Sequence, residues 1–207
     1  MPDSIAQSTC AGFLAALAST EPIPGGGAVA GLVGAASASL GEMVAGYSLG
    51  RSDDPATERS IERIRSELSR ARALFLELAD EDAAAYAVLN AAFKLPRSDQ
   101  ARPEMILAGA TAAVQPPLAT LAMAGDVARL LEQLQPIANA NLRSDLAIAA
   151  RLADSAANAA LWNVRANAPL LGDSGSEILR EAVTRSGEIR ARSADIEKRC
   201  GDAEEPS

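Results

Sequence analysis

The sequence contains no histidine among its 207 residues. That absence removes a Ser-His-Asp triad, a Cys-His pair, imidazole metal ligands and a histidine acid or base. Cysteine is nearly absent too. Cys10 and Cys200 stand near opposite ends with no CxxC spacing, so neither a zinc cluster nor a dithiol redox motif is present, and two free thiols are expected. Lysine occurs only as Lys94 and Lys198, and the net charge is -8. Such a balance argues against a nucleic-acid partner and against an anionic membrane surface. No run of 18 apolar residues escapes interruption by charge or glycine, so no transmembrane span is expected. The first residues, MPDSIAQSTC, open acidic rather than basic and do not resemble a signal peptide, which makes the cytoplasm the expected location.

Aromatic residues make up only 3%, whereas 46 residues are alanine. Alanine is the strongest helix former, and strand-forming β-branched and aromatic runs are scarce. The expected fold is therefore all-α, a single domain over residues 1–207 with a frayed tail from about 201. A short helix is expected over Ser4–Ala18, broken by Pro22, Pro24 and the glycines 25–27. A small-residue helix should follow from Ala28 to Leu49. Asp53 or Asp54 with Pro55 forms a start signal, and apolar residues recur at three- and four-residue spacing from Ile61 to Ala92. One helix of about 60 Å should thus run from 55 to Lys94, stopped by Leu95-Pro96. Further helices are expected over Glu104–Leu134, kinked at Pro116-Pro117, over 142–168, and over Ser176–Arg199. The picture is an elongated bundle of long antiparallel helices that invites a partner subunit.

Asp82 falls on the apolar register of the long helix, one turn after Leu78, while Asp80 and Glu81 fall off it and should be solvated. A carboxylate on that seam is costly to bury and tends to hold its proton, which suits acid–base work near neutral pH. The alternative is that the seam ends at Leu78 and Asp82 faces water. Gly25, Gly26 and Gly27 open a helix, where bare backbone admits either a ligand or a close helix neighbour. Asn139, Asn141, Ser144 and Asp145 precede a helix, and capping alone accounts for them. Asn163 and Asn167 share a helix face and could read a heterocycle with donors and acceptors, or be ordinary surface amides. Lys94 complements the dipole at its helix end or binds a carboxylate. Trp162 reads as a core or interface residue more readily than as a stacking platform.

These strings together resemble the C-terminal domain family of formiminotransferase-cyclodeaminase, which includes stand-alone methenyltetrahydrofolate cyclohydrolases. The likeness rests on PGGGAVAGLVGAASASLGEMVAGYSLGR at 24–51, DEDAAAYAVLNAAFKLPR at 80–97, PPLATLA at 116–122 and NANLRSDLAIAARLADSAANAALWNVRAN at 139–167. The resemblance implies an all-α homodimer with a folate pocket, no metal, and no cofactor beyond the tetrahydrofolate substrate. It implies Asp82 as the catalytic carboxylate, with Tyr86 as the aromatic of the same motif. Gly25, Gly26, Gly27, Tyr86, Lys94, Asn139, Asn141, Ser144, Asp145, Asn163 and Asn167 would bind substrate. The sequence departs from the family pattern after Arg51, where Ser-Asp-Asp-Pro replaces basic and aromatic residues. The activity it implies is interconversion of 5,10-methenyltetrahydrofolate and 10-formyltetrahydrofolate. Formiminotetrahydrofolate cyclodeaminase and a non-catalytic folate-binding or interaction protein are the alternatives. Having no formiminotransferase segment attached to the chain favours the cyclohydrolase.

Overall fold

A computed structural model describes residues 4–202. Six α-helices account for most of it: α1 (Cys10–Leu17), α2 (Gly26–Gly46), α3 (Pro55–Lys94), α4 (Arg102–Leu134), α5 (Arg143–Asn167) and α6 (Asp173–Gly201), with no strand among the described residues. α3 spans the 40 residues that its start and stop signals predict. Asp54 caps it by accepting from the amides of Ala56 and Thr57 at 3.0 and 3.1 Å, and Pro55 fills its first position, where no amide partner is needed.

The register of the helices follows from which residues meet. On α2, a side chain at Gly27 would strike Asp82, one at Gly31 would strike Phe75 and Ala79, and one at Gly41 would strike Leu68. Partner numbers fall as α2 advances, so α2 and α3 are antiparallel. The glycine seam brings their backbones together, which explains a core built from alanine and leucine rather than aromatics. α5 runs through the centre against α2, α4 and α6. Its Ala149, Ala150, Ala153, Ala156, Ala157 and Ala160 are all buried. Ser37 on α2 donates to the Ala149 carbonyl at 2.7 Å, a polar link inside that seam.

Three expectations need correction. Residues 4–18 do not form one helix: a 3-10 turn at Ile5–Gln7 is separated from α1 by Ser8 and Thr9, and Thr9 caps α1 by accepting from Gly12. α2 begins at Gly26, so two of the three glycines belong to the helix they were expected to precede, and it ends at Gly46. At the other end of the chain, Gly201 is still helical and Asp202 caps α6, while residues 203–207 lie outside the described residues.

Two helices, Gly26–Gly46 and Arg102–Ile137, are long and apolar enough to cross a membrane by length and composition. They are also core helices here, with 56% and 44% of their most apolar windows buried against the other helices. Small residues at close helix contacts give a soluble core helix the same composition as a membrane span.

α4 continues through Pro116 and Pro117, both buried. Pro117 has no amide hydrogen to give the carbonyl of Ala113, one turn back. Asn167 supplies it instead: its Nδ2 donates to the Ala113 oxygen at 2.9 Å. Asn167→Leu should therefore cost about 1–3 kcal/mol in urea unfolding, the penalty of stranding a buried carbonyl. The same substitution combined with Pro117→Ala, which restores the amide, should cost clearly less.

Candidate active site

The N-terminal turn of α2 gathers residues from three helices. Gly26 faces α5, where Asn163 Oδ1 would lie 3.5 Å from a Cβ added at Gly26. Gly27 faces α3, and there is no room for any Cβ beside the Asp82 carboxylate. Chain packing thus puts a carboxylate against bare backbone at the amide end of a helix. Asp82 is half-buried, and among the described residues no hydrogen bond or ion pair reaches its carboxylate. Burial alone pushes its pKa up to about 6. The seam of α3 does not end at Leu78, since Leu89 and Ala92 beyond it are buried as well.

The raised pKa has a consequence independent of any substrate. The folded protein holds the Asp82 proton up to about pH 6, whereas an unfolded chain releases it near 3.8. Between those values the folded state binds more protons, so this group's contribution falls as pH rises, by at most roughly 3 kcal/mol in all. Asp82→Asn should match wild type near pH 4 and be more stable than wild type at pH 7. Thermal melts at the two pH values check this.

The remaining predicted residues divide. Tyr86 lies one turn beyond Asp82 and is 42% exposed. Asn163 sits at the site, and its Nδ2 makes a long bond of 3.4 Å to Ala159 within its own helix. Asn167 is one turn further along α5, with its amide nitrogen committed to Ala113. Asn139 is elsewhere. Its backbone amide donates to Ser48 Oγ at 2.8 Å and its Nδ2 to the Tyr47 carbonyl at 3.3 Å. Tyr47 and Ser48 follow the C-terminal end of α2, about 30 Å from Gly26 along the helix axis. Asn141, whose amide donates to Asn139 Oδ1 at 3.1 Å, is at that far end too, as are Ser144 and Asp145 in the first turn of α5. Lys94 closes α3, exposed and about 18 Å past Asp82. Within one chain, then, Gly25, Gly26, Gly27, Asp82 and Asn163 form one site. The Asn139–Asp145 turn and Lys94 are not part of it. Trp162, next to Asn163, is 64% exposed, with the Arg165 guanidinium 4.7 Å from its ring centre.

The sequence reading missed Asp80. It is not solvated as expected: Ser4 Oγ donates to its Oδ2 at 2.5 Å and the Ile5 amide to its Oδ1 at 2.9 Å. This tie holds the N-terminal segment across α3 beside Asp82. Nothing in the sequence marks it, because the partners are 76 and 75 residues apart.

The fold and site define an all-helical domain with a half-buried, unpaired carboxylate on a glycine floor. The chain belongs to the formiminotransferase-cyclodeaminase family, whose model matches residues 9–183. It is 29% identical to the methenyltetrahydrofolate cyclohydrolase of Methylorubrum extorquens, over 78% of this chain and 79% of that one. It is 28% identical to the formimidoyltransferase-cyclodeaminase of Mus musculus over 86% of its length, and spans about a third (33%) of that relative. Among solved structures, the formiminotetrahydrofolate cyclodeaminase of Thermotoga maritima superposes with a TM-score of 0.81, at 27% identity, covering 96% of both chains.

Proposed function

We propose that this protein is a methenyltetrahydrofolate cyclohydrolase, interconverting 5,10-methenyltetrahydrofolate and 10-formyltetrahydrofolate. The observation that carries the reading is the Asp82 carboxylate, unpaired against Gly27 with its pKa near 6. The cyclohydrolase of Methylorubrum extorquens, similar over most of both chains, supports it. The methenyl carbon is part of a cationic amidinium, so it is already electrophilic. A carboxylate beside it stabilises that charge and accepts a proton as water adds. The adduct is neutral. The C–N5 bond then breaks as Asp82 returns its proton to N5, and the adduct hydroxyl loses its own proton as the formyl C=O forms. One proton is released to solvent overall. Asn163 would orient the water or the pterin. A homodimer belongs to the same proposal: Val88 and Phe93 of α3 and Met105 and Leu107 of α4 are exposed near the loop joining these helices.

The structural neighbour favours a second reading. The cyclodeaminase of Thermotoga maritima shares the whole fold. In that reaction the same carboxylate would protonate a departing amine as the ring closes. The two readings part on substrate. Purified protein is given 5-formiminotetrahydrofolate or 5,10-methenyltetrahydrofolate, with ammonia and 10-formyltetrahydrofolate as readouts. The cyclohydrolase reading expects 10-formyl product above the buffer rate and no enzyme-dependent ammonia. Ammonia release without accelerated methenyl hydrolysis would overturn it in favour of the deaminase.

A further inference from the structure

A cavity of about 420 Å³ lies on the α1 side of the α2 N-terminus. Its apolar walls come from Phe13 and Ala16 of α1, Ile23 and Pro24 of the turn, and Ala83 and Ala84 of α3. Pro24 directly precedes the glycine floor and Ala83 directly follows Asp82, so cavity and carboxylate flank the same point. The Asp82 carboxylate lies against Gly27, beside the cavity rather than in its wall. The N-terminal segment forms a further wall, fastened by the bonds from Ser4 and Ile5 to Asp80. Residues 4–8 of that segment precede the span that the family model matches.

We infer that this cavity is the subsite for the aromatic arm of the substrate, the 4-aminobenzoyl ring, while the pterin lies on the opposite side against Asn163. The inference rests on the folate reading above. The reacting carbon bridges a pterin nitrogen and the arylamine nitrogen, so the two ring systems diverge from the point that Asp82 addresses. A pterin edge carries several donors and acceptors, each costly to bury unpaired. The cavity offers them one hydroxyl, that of Ser8: Ser4 and Asp80 bond each other, and Thr9 Oγ1 is engaged by Gly12. A benzene ring makes no such demand, and the volume lies within the range of small-molecule sites. On the α5 side, Asn163 supplies an amide with both donor and acceptor.

The test uses N-(4-aminobenzoyl)-L-glutamate as the probe and the full chain with 13C-labelled isoleucine δ1 methyls. Titration should shift the methyls of Ile5 and Ile23, with no shift at Ile148, which is exposed on α5. Ala16→Leu and Ala84→Leu fill the cavity from two different helices with a residue that keeps helix propensity. Each should weaken the probe at least tenfold. Each should also raise KM for 5,10-methenyltetrahydrofolate about tenfold, with a much smaller change in kcat. If the wild-type methyls of Ile5 and Ile23 do not respond, or if both folded variants bind the probe as wild type does, the subsite assignment is wrong. If wild type turns over no folate substrate yet binds the probe in a way that the fillings abolish, the reaction reading fails and the subsite stands.

Discussion

Gly27→Ala should cost at least a hundredfold in kcat/KM, although the substitution adds one methyl group and raises helix propensity. The methyl has no space: it would overlap the Asp82 carboxylate. Either Asp82 rotates away or α2 and α3 separate. Displacing a reacting group by about 1 Å costs on the order of 10²-fold. Overpacking costs about 1–3 kcal/mol, against which the helix recovers about 1 kcal/mol on losing a glycine. The net loss of stability should be about 0–2 kcal/mol. Asp82→Ala removes the three atoms nearest to the added methyl, so in that background Gly27→Ala should be neutral or slightly stabilising. Urea denaturation of the four proteins gives the coupling directly. Equal costs in both backgrounds would mean that the glycine serves the helix seam and not the carboxylate.

Asp82→Asn should lower kcat by about 10²–10⁴-fold, the range for loss of a positioned acid or base. The amide keeps the shape of the carboxylate, so the glycine floor and the helix seam are undisturbed. The same variant should be more stable than wild type at neutral pH, because it no longer ionises a half-buried group. Loss of activity joined to a gain in stability is the signature of a group kept for chemistry at the expense of the fold. A structural carboxylate would show the reverse. Activity of the wild type should rise through about pH 6 as Asp82 ionises, and the variant should lose that limb.

The long helix was legible to the residue because its signals are local. Asp54 and Pro55 start it, Leu95-Pro96 stops it, and three- and four-residue apolar spacing runs through it. Asp82 was legible for the same reason, being the one charged residue on that stripe. The glycines were legible as a break that opens a helix, but not as residues inside it. At Gly26 and Gly27, Asn163 and Asp82 approach from two other helices, a contact that the sequence does not mark. The split between the Asp82 site and the Asn139 turn was not legible, because motifs in chain order do not show which end of a helix they meet. Asn167 reads as a binding amide until Pro117 is placed beside it and its bond to Ala113 is seen. The tie between Ser4 and Asp80, and the cavity behind it, depend wholly on tertiary contact.

Asp82 is proposed to transfer a proton during hydrolysis of a methenyl folate. The most direct test is the decay of 5,10-methenyltetrahydrofolate absorbance at pH 7 with wild type and Asp82→Asn side by side, the buffer-catalysed rate subtracted. Decay well above buffer is expected for wild type, and decay close to the buffer rate for the variant. Wild type at the buffer rate, or a variant as fast as wild type, would contradict it.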